Sequence, residues 1–136
     1  MATKSDNTGA FRRYVVEFFG TFFLVMTLCM LDAGDHSQFA PMAAGVMLVA
    51  MMYAGFHISG AHYNPAVSLA TYLRGKLNSG DLLPYIVAQF LGGTLAAMLA
   101  GFLLNASGAP APAPKELEVV PALIAELLGT LLFVYV

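Results

Sequence analysis

Charge is what this chain has least of. Only 10% of its 136 residues are Asp, Glu, Lys or Arg, against about 25% in an ordinary soluble domain. Six basic and eight acidic residues leave a net charge of −2, so there is no basic surface for phosphates and no nucleic-acid partner is expected. The single cysteine, Cys29, excludes an internal disulfide framework and a CxxC metal site. No nucleophile or metal-ligand constellation stands out, so neither an enzyme nor a bound metal or cofactor is expected. What is abundant is apolar: 59% of the residues are hydrophobic and the mean hydropathy is +0.75. That balance argues against a soluble enzyme and a disordered tail. It points to an all-α protein crossing a membrane several times.

Three apolar runs reach the roughly 20 residues a helix needs to cross about 30 Å of hydrocarbon. They are Tyr14–Leu31, with Glu17 as its one charge, Pro41–Ser59, with no Asp, Glu, Lys or Arg and His57 as its one histidine, and Leu82–Leu104, with no charge at all. A fourth run begins at Val119 and reaches Val136 with Glu126 inside it. The first run is 18 residues long, longer than the roughly 7–15 of a signal-peptide core, and Glu17 is wrong for one, so it reads as a retained span.

Orientation follows from the basic residues. Lys4, Arg12 and Arg13 precede the first span, and Arg74 and Lys76 precede the third. With both regions cytoplasmic, five of the six basic residues are inside, and only Lys115 is outside, beside Glu116 and Glu118. Residues 1–13 then form a cytoplasmic tail and the N-terminus is inside. Residues 107–118 form an outer loop whose alternating Ala and Pro favour an extended spacer. At its start, Asn105-Ala106-Ser107 fits a glycosylation sequon but reads better as a polar helix end.

The segment between the second and third spans does not fit a simple loop. Gly60 to Leu73 is too apolar for cytoplasm and too short to cross. Asn64 is a good helix cap and Pro65 suits the first helical position. A helix over 65–73 follows, about 13 Å long at 1.5 Å per residue, and Arg74, Gly75 and Lys76 mark a return to the cytoplasmic surface. The reading is a re-entrant half-helix whose N-terminus points to the membrane centre. The residues before it, Gly60, Ala61, His62 and Tyr63, are expected to be extended, with carbonyls that need a protein or watery neighbour at that depth.

An internal repeat adds to this. Glu17-Phe18-Phe19-Gly20-Thr21 reappears as Glu126-Leu127-Leu128-Gly129-Thr130, 109 residues on. Three crossings separate the copies, so the second enters from the other side, which is an inverted-topology repeat.

The run Ser59-Gly60-Ala61-His62-Tyr63-Asn64-Pro65-Ala66-Val67-Ser68 resembles the first Asn-Pro-Ala signature of the aquaporin and glycerol-facilitator family. The runs from Glu17 and from Gln89-Phe90-Leu91-Gly92-Gly93 are similar to that family too, so the resemblance covers the chain from Tyr14 onward. It implies an aquaporin-like right-handed helical bundle: residues 14–106 form a first repeat, with three full spans and one half-helix, and 119–136 start a second, inverted repeat. The chain carries no second Asn-Pro-Ala, nor the arginine that follows it in the family. We therefore expect a fragment of a longer product, a half-size protein that dimerises being the alternative.

Candidate site residues follow. Asn64, Pro65 and Ala66 form the signature. Asn64 reads as a cap from its position alone, and the resemblance implies that its amide also donates to a passing water. Carbonyls of Gly60, Ala61, His62 and Tyr63 are expected along the pore wall. Glu17 and Glu126 are intramembrane carboxylates that need partners; backbone donors of the re-entrant loops suit them, and the resemblance implies the same buttressing role, with Gln89 beside them. His62 ties the loop to the helices, while His57 only packs nearby. Ala44 lies 20 residues before Asn64, where the resemblance implies a filter position that is often aromatic; a small residue there implies a wider filter. Gly93, Ala97 and Gly101 form a small-residue stripe expected to pack within the chain, and Met42, Met47, Met51 and Met52 are lipid-facing or core filler.

The resulting expectation is a passive channel in the cell (plasma or inner) membrane that passes water and excludes ions and protons. A glycerol or small neutral solute facilitator is the first alternative and a non-conducting structural protein the second. The resemblance implies a homotetramer; a homodimer of half-channels is the arrangement for a half-size protein.

Overall fold

A computed structural model describes residues 4–32, 37–108 and 119–135. Among them there is no strand. Helix α1 spans Lys4–Asp32, α2 Ala40–Ser59, α3 Pro65–Leu73, α4 Ser79–Ser107 and α5 Val119–Tyr135, with a single 3-10 turn at Ser37–Phe39 before α2. Three of these are long and apolar enough to cross a membrane: α1 over Thr8–Leu31, α2 over its whole length and α4 over its whole length. Helix α1 begins at Lys4, before the apolar run that starts at Tyr14, so most of the N-terminal tail is a helical extension of the first span. The Pro-rich stretch 109–118 lies outside the described residues.

The direction of packing fixes the topology. Helix α1 makes its most extensive contacts with α4 and its next with α2. Along α1 the partners on α4 advance in step, from Arg13 with Asp81 to Glu17 with Gln89 to Phe18 with Gly92. The two helices therefore run in the same direction. A chain that leaves α1, crosses once as α2 and enters α4 from the original side cannot cross again between them. The stretch 60–78, with α3 inside it, must return to the side it came from.

The α1–α4 crossing is tight because Gly92 has no side chain: a Cβ there would overlap the Phe18 carbonyl oxygen. The buried face of α4 runs through Tyr85, Ala88, Gln89, Gly92, Ala96, Ala100 and Leu104. The expected stripe of Gly93, Ala97 and Gly101 sits one residue around the helix. Gly93 meets Val25 and Thr21 only at ordinary contact distance, Ala97 is exposed and Gly101 faces open space. Both stripes have a four-residue period; Tyr85 and Gln89, held by polar partners, select the one that faces inward.

Burial is inverted relative to a soluble domain. Glu17, Thr21, Ser59, His62, Ser68 and Gln89 are buried, whereas Phe19, Met42, Val46, Phe90, Met98 and Phe102 are exposed. Apolar side chains outside and a polar cluster inside suit a hydrocarbon solvent, where each polar group must find a partner in the protein.

At the N-terminal ends of α1 and α4, Arg13 Nη2 lies 2.9 Å from both carboxylate oxygens of Asp81, and the Tyr14 hydroxyl donates to Asp81 Oδ1 at 2.7 Å. Asn78 caps α4 by accepting from the Gly80 N–H at 2.9 Å. Asp81, in the first turn, also lies at the end of the helix dipole that favours an anion.

Candidate functional site: the re-entrant segment and its buried carboxylate

Helix α2 ends where Gly60 takes a left-handed conformation (φ 87°) and its N–H returns to the Phe56 carbonyl at 3.0 Å. The next residues are not extended. Ala61 (φ 53°) and Tyr63 (φ 50°) are left-handed as well, a conformation that costs a non-glycine residue about 1–3 kcal/mol. The reason lies in where the N–H groups go. Ala61 N–H donates to Ser59 Oγ at 3.1 Å, His62 N–H to Glu17 Oε1 at 3.0 Å and Tyr63 N–H to Glu17 Oε2 at 2.6 Å. Three successive amides thus reach acceptors on the α1 side, which an extended strand, with alternating amides, cannot arrange.

Glu17 is fully buried. Besides the two amides, its Oε1 accepts from the Ser59 hydroxyl at 2.7 Å and its Oε2 from Gln89 Nε2 at 2.9 Å. Every neighbour at hydrogen-bond distance is a donor, so both oxygens act as acceptors and the carboxylate is satisfied without a cation. Gln89 Oε1 is left as a buried side-chain atom without a partner among the described residues. Reversing that amide would set its oxygen against the carboxylate, which is worse.

Tyr63 anchors the segment from the other side. Its ring fills a slot that exists because positions 20 and 55 are glycines; a Cβ at either would overlap the ring or its hydroxyl. The hydroxyl donates to the Met51 carbonyl at 2.8 Å. Thr21 Oγ1 lies 3.2 Å from the Tyr63 carbonyl, though closer, at 2.8 Å, to the Glu17 carbonyl of its own helix. No donor among the described residues reaches the carbonyls of Gly60, Ala61 or His62. Tyr85 supports the loop from α4, its hydroxyl donating to the Ser59 carbonyl at 2.7 Å.

At the tip, Asn64 has extended backbone (φ −151°, ψ 129°) and its Oδ1 accepts from the Ala66 N–H at 2.8 Å. Pro65 opens α3, which runs nine residues to Leu73 and closes through left-handed Gly75. The cap uses the amide oxygen, which leaves Nδ2 with its two hydrogens free of protein partners among the described residues.

Two cavities flank the segment. One of about 760 Å³ is lined by Ser59, Gly60, Ala61, His62 and Thr71 and reaches Lys76. The other, about 280 Å³, is lined by Leu24, Leu48, Tyr63, Asn64 and Thr130. His62 and Gly129 of α5 border both. Among the candidate residues, then, the structure brings together Glu17, Gln89, His62 and the loop 60–64. Ala44 is half-buried on α2 and lines neither cavity, Ala66 is exposed, and His57 is exposed on α2. Glu126 lies in α5, but its side chain is outside the described residues. Sequence reasoning missed Ser59, Ser68, Thr21 and Tyr85 as partners. The signal for Tyr85 was present in its spacing of four from Gln89 and seven from Gly92, one face of one helix.

The family described as Major intrinsic protein matches residues 4–136. The chain is 30% identical over 148 residues to Aquaporin Z of Photorhabdus laumondii, covering 92% of this chain and 63% of the relative. It is 31% identical over 147 residues to Aquaporin Z of Bradyrhizobium diazoefficiens, covering 92% and 60%. It is 33% identical over 144 residues to Aquaporin Z of Rhodopseudomonas palustris, covering 91% and 60%. The chain thus spans about 60% of the length of the curated relatives it matches.

Proposed function

Because the chain belongs to the major intrinsic protein family, we propose that it forms one wall of a passive membrane channel for water or small neutral solutes. The observation that carries this reading is the re-entrant segment held from behind by Glu17, with two cavities beside it that are both bordered by His62 and Gly129. The path runs from the cytoplasmic side past Lys76 and the Gly60–His62 carbonyls to Asn64, and on between Leu24 and Leu48. Unpaired carbonyls accept hydrogen bonds from the solute. Asn64 Nδ2 donates one at the tip, while its oxygen is occupied by the cap.

Ion exclusion belongs to the same proposal. The N-terminus of α3 sets a partial positive charge at the tip, and among the described residues no carboxylate lines either cavity, since Glu17 is spent on donors behind the loop. Cations and protons meet that field without compensation. Glu17 serves as the buttress of the segment and Gln89 as its partner; Glu126 has the same place in the inverted copy. The N-terminus is cytoplasmic, the membrane is the plasma or inner membrane, and the family resemblance implies assembly as a homotetramer.

A second reading, glycerol or another small neutral solute, is favoured by one residue. The family resemblance puts Ala44 at the filter position, where it offers no bulk, although it lines neither of the two cavities described. Swelling of proteoliposomes carrying the full chain tests both readings. Water passage faster than in empty vesicles supports the channel. Glycerol passage that Ala44→Phe abolishes, with water retained, supports the wider filter. Swelling no faster than in empty vesicles overturns the reading.

A further inference from the structure

The His62 side chain carries more than a structural tie. The ring is packed edge-on against Tyr85, with centroids 5.2 Å apart. Its Nδ1 lies 3.0 Å from Ser68 Oγ, and Gln89 Nε2 lies 2.9 Å from that same oxygen. Glu17 sets the Gln89 amide, since Nε2 also donates to its carboxylate at 2.9 Å. Gln89 is therefore a donor to Ser68.

Ser68 has 0% exposure, and its own hydroxyl hydrogen needs an acceptor. Thr21, Thr27 and Ser107 each turn their hydroxyl to a carbonyl of their own helix. Ser68 makes no such bond, and among the described residues His62 Nδ1 is the acceptor within reach. The polarity runs one way, from Gln89 through Ser68 to His62. A ring nitrogen that accepts carries no proton, so the proton of the neutral imidazole sits on Nε2. Nε2 has no protein partner among the described residues. It faces Gly60, where a Cβ would lie 3.3 Å away, and Gly60 lines the larger cavity.

We propose that His62 is a side-chain hydrogen-bond donor in the solute pathway, held in its Nε2–H tautomer by Ser68 and Gln89 as positioning residues. This rests on the pathway reading and extends it. The ligand is any neutral solute with an oxygen acceptor, such as water or a hydroxyl. The arrangement also withdraws the imidazole as a proton relay. A relay must accept on one nitrogen while releasing from the other, and here Nδ1 is taken up by the hydroxyl of fully buried Ser68.

The test is nitrogen NMR on the isotope-labelled full chain in lipid bilayers. His36→Gln and His57→Gln leave His62 as the one remaining histidine of three. The expected spectrum has one neutral tautomer, with Nε2 protonated and Nδ1 bare, and magnetisation from mobile water reaching the Nε2–H. In Ser68→Ala the two tautomers should mix. A proton on Nδ1 in the chain that retains Ser68, or no transfer from water, overturns the proposal. A single Nε2–H tautomer in Ser68→Ala overturns the assignment of Ser68 as the residue that sets the tautomer. Should Ser68→Ala fail to fold, the chain with Ser68 still decides. The pathway reading fails separately, when vesicles swell no faster than empty ones although the tautomer and its water contact are as expected.

Discussion

Replacing Glu17 probes the centre of the structure. Its carboxylate accepts four hydrogen bonds, from the Ser59 hydroxyl, the His62 and Tyr63 amides and the Gln89 side chain, at 2.6–3.0 Å. A buried donor left unpaired costs about 1–3 kcal/mol, more when the lost acceptor was charged. Glu17→Ala strands two backbone amides and a side-chain amide, even if the Ser59 hydroxyl rotates to a new partner. The loss should therefore reach at least about 3 kcal/mol, at the upper end of ordinary single-residue effects. Glu17→Gln sharpens the argument. Whichever way the new amide is set, its NH2 faces one backbone N–H that cannot reverse, so at least one of the four bonds is lost and the expected cost is about 1–3 kcal/mol. Left-handed Tyr63 would then lose part of what offsets its backbone strain. Denaturant titration of the purified chain should rank native above Gln above Ala, and amide exchange at His62 and Tyr63 should accelerate in the same order. A Gln variant as stable as the native chain would refute the acceptor-only role of Glu17.

Other expectations follow from the same contacts. Gly92→Ala should cost about 1–3 kcal/mol by forcing α4 off the Phe18 carbonyl, while Gly93→Ala, facing only Val25 and Thr21 at van der Waals distance, should stay within about 0.5 kcal/mol; equal effects would mean the inward face is misassigned. Arg13→Gln should lower stability by no more than about 1 kcal/mol, since the ion pair with Asp81 is part-exposed, and thermal melts at low and high salt should show a native advantage that shrinks with salt. Single cysteines at Ser37 and Ser79, in a Cys29→Ala background, should label from opposite sides of the membrane; labelling from one side would contradict the parallel run of α1 and α4.

How much of this could be read from sequence depended on whether the cause was local. The start of α3 is local: a capping Asn followed by Pro sets it, and α3 spans Pro65–Leu73. The need of Glu17 for partners is local too, because a carboxylate in an apolar run is costly wherever it lies. Its actual partners are not. Two are backbone amides of residues 45 and 46 positions away, and an amide leaves no mark in sequence. The left-handed turns at Ala61 and Tyr63 were hidden for the same reason, since neither residue is a glycine and the conformation is imposed by the acceptor opposite. The stripe on α4 was placed one residue off because glycine adjoins glycine at 92 and 93. Only the fixed positions of Tyr85 and Gln89 choose between them.

Asn64→Asp tests the pathway most directly. The acid still caps α3, so insertion and folding should survive. It places a carboxylate where the helix terminus favours an anion and partly cancels the field that repels cations. The measurement is swelling of proteoliposomes paired with a pH-dye leak assay under an imposed potential. Slower water passage together with a new cation or proton leak is the predicted result. A variant that swells like the native chain and stays proton-tight would make Asn64 a cap alone and remove the re-entrant tip from the solute path.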